Sequence, residues 1–220
     1  MTLELIIGDK AFSTWSLRPW LVLKRAGAEF AETQILLDKA DTTSLIRRHN
    51  PAGKVPALRV DGEVIWDSLA ICEWAADHWP RAKLWPANGP ARWMARSLVA
   101  EFHSGYPALR TECSMGPEHP MVGPGGPMRP VSSAVGGEVI RLIDSIRQAK
   151  GRFGGDGPWL FGDWTIADAF YTPVATRIRR YGIDLSDHGD HDAVVRGYFD
   201  ALLNDPLFLE WERAGLAERR

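Results

Sequence analysis

Two short stretches hold most of the residues able to do chemistry. The first, AFSTWSLRPW at residues 11–20, sets Ser13, Thr14 and Ser16 between a strand-like run and a helix-like one. A hydroxyl in that place either donates to an anion held nearby or caps the helix. The second, HNPAGKVPALRVDGEVIWDS at 49–68, places Val55 before Pro56 and, twelve residues on, the pair Asp67 and Ser68. A residue before proline is pushed to extended backbone, and proline cannot donate to a ladder. Val55 therefore keeps its own N–H and C=O for a ligand that docks as an extra strand. Asp67 and Ser68 open a helix whose unpaired amides and positive dipole end suit a carboxylate. Either residue would serve equally as a plain N-cap.

The elements that must position these residues read out in order. LELIIG (3–8) is a buried strand, SLRPWLVLKRAG (16–27) a helix with Pro19 in its first turn, and FAETQILL a second strand. TTSLIRRH is a short helix, ALRVDGEVIWD a hairpin around Asp61 and Gly62, and DSLAICEWAADHW (67–79) a helix. PRAKLWPANGP (80–90) has the proline and glycine of a linker, after which the pattern is helical at 91–112, about 133–150, 165–181, 192–204 and 206–214. MGPEHPMVGPGGPMRP (115–130) is a long loop of the kind that forms lids or mobile segments.

Composition narrows the partners. A chain of 220 residues with a net charge of −2 has no electrostatic footprint for nucleic acid or an anionic membrane surface. No run of about 18 apolar residues occurs, and the amino terminus MTLELIIGDKAF lacks a basic stretch before an apolar one, which predicts a soluble, unexported protein. Cys72 and Cys113 form no CxxC pair, and Cys72, in LAICEWA, reads as a core thiol. DLSDHGDHDA (184–193) reads as a solvated loop in preference to a metal site, and Arg179, Arg180 and Tyr181 as an exposed helix end.

Taken together, NPAGKVPAL, the DS helix start and FGDWTIADAFYTPVA (161–175) resemble the glutathione transferase superfamily over the whole chain. The resemblance implies an α/β thioredoxin-like N-terminal domain at 1–80, a linker at 81–89 and an all-α C-terminal domain at 90–220. It makes Thr165 and Asp168 a structural capping box. It implies glutathione as co-substrate, with the Val55 backbone, before a cis Pro56, pairing the cysteinyl part, Ser68 holding the γ-glutamyl carboxylate and Asp67 near the ammonium. Lys54, or less directly His49, would meet the glycine carboxylate. The pattern S-x-x-S-x-R is similar to the zeta class of the family, which aligns Ser13 with the catalytic serine, Thr14 being its rival; Ser16 is assigned as N-cap of a helix from Leu17. No Tyr or Cys precedes residue 72, so a cysteine-dependent mechanism loses its reagent, and Trp15 stands where the zeta class has cysteine.

Phe102, Tyr106 and Arg110, spaced by four, would share a helical face and line the second-substrate pocket with Tyr171, or else be core residues. The reading is a cytoplasmic, homodimeric transferase without a metal, attacking a small apolar electrophile. The alternatives are a glutathione-regenerating isomerase, similar to maleylacetoacetate isomerase, or an ether- or halide-cleaving enzyme, and a non-catalytic carrier or interaction module of the same fold.

Overall fold

A computed structural model describes residues 1–218. Strand β1 (Leu3–Ile7), helix α1 (Thr14–Arg25), β2 (Ala31–Gln34), α2 (Thr42–His49), β3 (Ala57–Val60), β4 (Glu63–Ile65) and α3 (Ser68–His78) come first. The sheet order is β2-β1-β3-β4, with β2 parallel to β1 and the other two pairings antiparallel. The hairpin turns at Asp61 and Gly62, both at positive φ, the conformation that a two-residue turn of this hand requires. β2 is shorter than FAETQILL predicts and largely exposed, since it forms one edge of the sheet.

Helices α4 (Gly89–Ser104), α5 (Pro107–Glu112), α6 (Ser133–Ala149), α7 (Ile166–Tyr181), α8 (Val194–Leu203) and α9 (Pro206–Ala217) make up the rest. The fold is thus a four-stranded mixed sheet with helices, followed by a mostly helical remainder. Helix α1 packs on α3 of the first half and on α7 and α9 of the second, so one hydrophobic core runs through both. Among the described residues no helix is long and apolar enough to cross a membrane.

Four expectations are corrected. The predicted helix 91–112 is two helices, because Pro107 has no N–H and its ring would clash with the carbonyl one turn earlier; Tyr106 takes the left-handed conformation between them. Helix α1 starts at Thr14, with Ser13 at its N-cap position, and Ser16 lies inside the helix. Ser16 does not cap because its hydroxyl is used elsewhere, accepting from the Gly8 N–H at 3.1 Å. The 115–130 loop is built into the fold: Met121 and Val122 are buried, and the Met121 N–H donates to the Ala11 carbonyl at 2.8 Å. Arg179, Arg180 and Tyr181 are not a bare helix end but the lashings of that segment, donating to the carbonyls of Met121, Glu118 and Ser114.

The capping box forms. Thr165 accepts from the Ala167 N–H, and the Asp168 carboxylate accepts from the Thr165 N–H at 2.7 Å. Asp168 also receives the Leu160 N–H and the Tyr198 hydroxyl, yet burial pushes its carboxyl up to about 6. In DLSDHGDHDA the carboxylates serve the backbone and neighbouring cations: Asp190 accepts from the Val195 and Arg196 N–H groups, and Asp192 pairs with Arg147.

Candidate active site

The loop after β1 is pinned from several sides. The Ser13 N–H donates to the Asp9 carbonyl at 2.8 Å, and the Asp9 carboxylate accepts from the Leu37 N–H. From the far end of the chain, Glu218 accepts from the N–H groups of Lys10 (2.6 Å) and Ala11 (3.0 Å), and the Trp211 indole donates to the Lys10 carbonyl. Gly215 lets α9 sit this close, because a Cβ there would lie 3.0 Å from the Ala11 nitrogen. No short-range pattern announces these contacts, which join residues about two hundred positions apart.

Ser13 and Thr14 stand at the amino end of α1, and both are buried. The Ser13 hydroxyl lies 2.8 Å from that of Ser16 and makes no cap bond. The Gly8 N–H, Ser16 and Ser13 thus form a short hydrogen-bonded chain. The Thr14 side chain has no hydrogen-bond partner among the described residues.

In the second stretch, the Val55–Pro56 bond is cis, Pro56 is buried and Val55 is part-exposed. Asp67 is the N-cap of α3, its Oδ1 accepting from the N–H groups of Leu69 (2.9 Å) and Ala70 (3.4 Å). Ser68, next in the chain, is fully buried, and its hydroxyl has no hydrogen-bond partner among the described residues. Lys54 is exposed and free of ion pairs among the described residues, while His49 is engaged through Nδ1 by Arg59 at 3.2 Å.

His103 and Trp15 also belong to this region, although their spacing carries no signal for it. His103, in the last turn of α4, donates from Nε2 to Asp67 Oδ2 at 2.8 Å; a carboxylate only accepts, so Nε2 carries the proton. Trp15 packs edge-on against the His103 ring at 5.3 Å. Its face carries the Arg18 guanidinium at 4.0 Å, with that of Arg110 at 5.0 Å.

Arg18 is fully buried, its nitrogens lack any acceptor among the described residues, and burial holds its pKa well below the ordinary value. Phe170 (4.7 Å) and Phe102 (5.3 Å) complete its aromatic surround.

Phe102, Tyr106 and Tyr171 lie in the hydrophobic core, with the Phe102 and Tyr106 rings 5.5 Å apart. Arg110 joins them across the break before α5, its guanidinium 4.5 Å from the Phe102 ring. Cys72 and Cys113 are buried, which raises both thiols, Cys113 to about 11 and Cys72 well above the ordinary value. Neither can supply a thiolate near neutral pH.

Comparison with known proteins bears on the N-terminal part of the chain and on the fold. Residues 12–78 match the family described as glutathione S-transferase, N-terminal domain. The chain is 29% identical over 198 residues to a probable maleylacetoacetate isomerase of Caenorhabditis elegans, covering 89% of this chain and 86% of the relative. Its fold is similar to a glutathione transferase homologue from Burkholderia solved with bound glutathione (TM-score 0.74, 19% identity, 99% and 100% of the two chains). It is also similar to the β-etherase LigF from Sphingobium sp. strain SYK-6 (TM-score 0.73, 20% identity, 97% and 99%).

Proposed function

We propose that this chain, of the glutathione transferase superfamily by its N-terminal domain and its fold, is a glutathione-dependent enzyme. It converts the tripeptide's thiol to a thiolate and directs it at an electrophilic carbon of a small, largely apolar compound. Residues 1–80 bind glutathione, 81–89 link, and 90–220 supply the second-substrate side. The proposal includes a cytoplasmic homodimer with glutathione as co-substrate.

The observation that carries the reading is Ser68. A fully buried hydroxyl without a protein partner, at the amino end of an eleven-residue helix, is stabilised by an incoming carboxylate that accepts hydrogen bonds from it and from the Ser68 N–H, the amides of Leu69 and Ala70 being held by Asp67. Val55 offers its backbone to the cysteinyl unit, as an added strand does. Lys54 meets the glycine carboxylate; His49, held by Arg59, has only Nε2 to offer. Asp67 faces the ammonium. Ser13 donates to the sulfur while Ser16 donates to Ser13, an exchange of proton direction that two hydroxyls 2.8 Å apart make without moving heavy atoms. The thiol proton is released to solvent, the thiolate forms a C–S bond, and the leaving group departs with its electron pair.

A second reading rests on the relative named above. In an isomerase the thiolate adds to the substrate and is released unchanged, so glutathione is regenerated. Calorimetric titration with glutathione tests the shared part: the protein binds it, and Ser68→Ala weakens binding by about tenfold or more, the contribution of a hydrogen bond to a charged group. Absence of binding by the wild type refutes both readings and leaves a carrier or interaction module. Product analysis with an activated aryl halide, maleylacetone and an aryl ether then separates consumption of glutathione from its regeneration.

A further inference from the structure

The amino end of α3 is fixed from two directions. Its own helix holds Asp67 Oδ1 through the N–H groups of Leu69 and Ala70, and α4 holds Oδ2 through His103. A carboxylate has about four acceptor positions, so these three bonds leave roughly one, on Oδ2. The Asp67 side chain is 54% exposed, so that position is open to a ligand.

Without His103 only the two bonds to Oδ1, one of them 3.4 Å long, would resist rotation about χ2, a broad two-fold torsion in Asp that moves both oxygens together. His103 in turn is set by its surroundings. Trp15 meets the imidazole at an interplanar angle of 89°, and Phe170 lies 6.1 Å away on another side. Trp15 follows Ser13 and Thr14 directly, so a single line of contacts runs from the proposed sulfur end of the site to its γ-glutamyl end.

We infer that His103, held by Trp15, is a positioning residue that aims Asp67 at the α-ammonium of glutathione; the inference rests on the glutathione reading above. The α-amino group brings three N–H donors and a positive charge, which fit the remaining acceptor position on Oδ2. Fixing the carboxylate beforehand removes an ordering cost at the moment of binding. The role accounts for tryptophan at position 15, where the zeta-like pattern has cysteine.

Calorimetry on the full chain with two ligands tests this: glutathione, and glutaryl-cysteinylglycine, which lacks only the α-amino group. The wild type should prefer glutathione. His103→Phe keeps a ring against Trp15 and removes the donor, so it should weaken glutathione by about tenfold, the low end for a hydrogen bond to a charged group, and leave the analogue unchanged. His103→Gln, which restores an N–H donor, should recover part of the preference.

Equal weakening of both ligands would mean that the imidazole only joins α4 to α3, and weakening of neither would mean that Asp67 needs no support; each overturns the inference. A wild type that binds both ligands equally overturns it too while leaving the glutathione reading intact. A wild type that binds neither overturns both.

Discussion

Substitution of Ser13 and Ser16, one at a time, separates chemistry from architecture in the loop after β1. A thiol with an ordinary pKa near 8.5 is about 3% ionised at pH 7. The proposed hydrogen bond from Ser13 to the sulfur would contribute about 1.5–3 kcal/mol to the thiolate, lowering its pKa by roughly one to two. Ser13→Ala should remove that lowering at little structural expense, because the Ser13 side chain makes no cap bond and Ser16 retains the Gly8 N–H. Ser16→Ala should do the reverse. It loses only the cooperative part, about 10–30% of the Ser13 bond, but leaves the buried Gly8 N–H without an acceptor, at about 1–3 kcal/mol of stability.

The assay is the ultraviolet absorbance of enzyme-bound glutathione thiolate against pH, paired with urea denaturation of each variant. Thr14→Val, in which the hydroxyl becomes a methyl, is the control for the rival donor. A thiolate pKa that stays low in Ser13→Ala and rises in Thr14→Val would refute the assignment of Ser13 and give the role to Thr14. A bound thiol with an ordinary pKa in the wild type would refute the whole argument for thiol activation by this loop.

Three further outcomes are expected. Asp168, raised by burial from 3.8 to about 6, holds its proton in the folded chain at pH values where the unfolded chain has released it, so its contribution to stability falls as pH rises between these values and is constant above. The difference in urea stability between wild type and Asp168→Asn should therefore shift by about 2 kcal/mol between pH 4 and pH 7, since an unfolded Asp is already partly ionised at pH 4, and a constant difference would refute the titration. Glu218→Ala, by freeing the Lys10 and Ala11 N–H groups, should lower kcat by loosening the Ser13 loop while leaving glutathione affinity, which the proposal sets at Val55 and Ser68, within about twofold; a matching loss of affinity would show that the loop positions the tripeptide as well. Arg18→Met should change stability by no more than about 1 kcal/mol, since removing a buried cation without an acceptor offsets the lost ring contacts, and destabilisation by about 3 kcal/mol or more would reveal an acceptor for its N–H groups.

The parts of this molecule visible in its sequence are those built from neighbours. Pro56 after Val55, Asp67 before Ser68, Asp61 beside Gly62 and the Thr165–Asp168 spacing act over one to three residues, where backbone stereochemistry and capping leave few choices. What lay hidden depends on contacts between distant segments. Helix α1 was expected to begin at Leu17 because Ser16 is a good capping residue by type, but the hydroxyl is claimed by Gly8, eight residues upstream, and the helix starts three residues earlier. The regular spacing of Phe102, Tyr106 and Arg110 pointed to one helical face, yet Pro107 breaks the helix between them and the turn itself brings the three together.

His103 shows the same limit at the site. Its ordinary position in α4 has no motif around it, and its partner Asp67 lies 36 residues earlier on another helix. The one trace in the sequence was Trp15, a bulky aromatic among the small hydroxyl residues where α1 begins. Such a side chain has to be accommodated by packing against another segment, and in this fold that segment is the end of α4. A departure from a family-like pattern therefore locates the place where a second part of the chain enters the site, and the pairing of Trp15 with His103 ties α1 to α4 beside the proposed glutathione site.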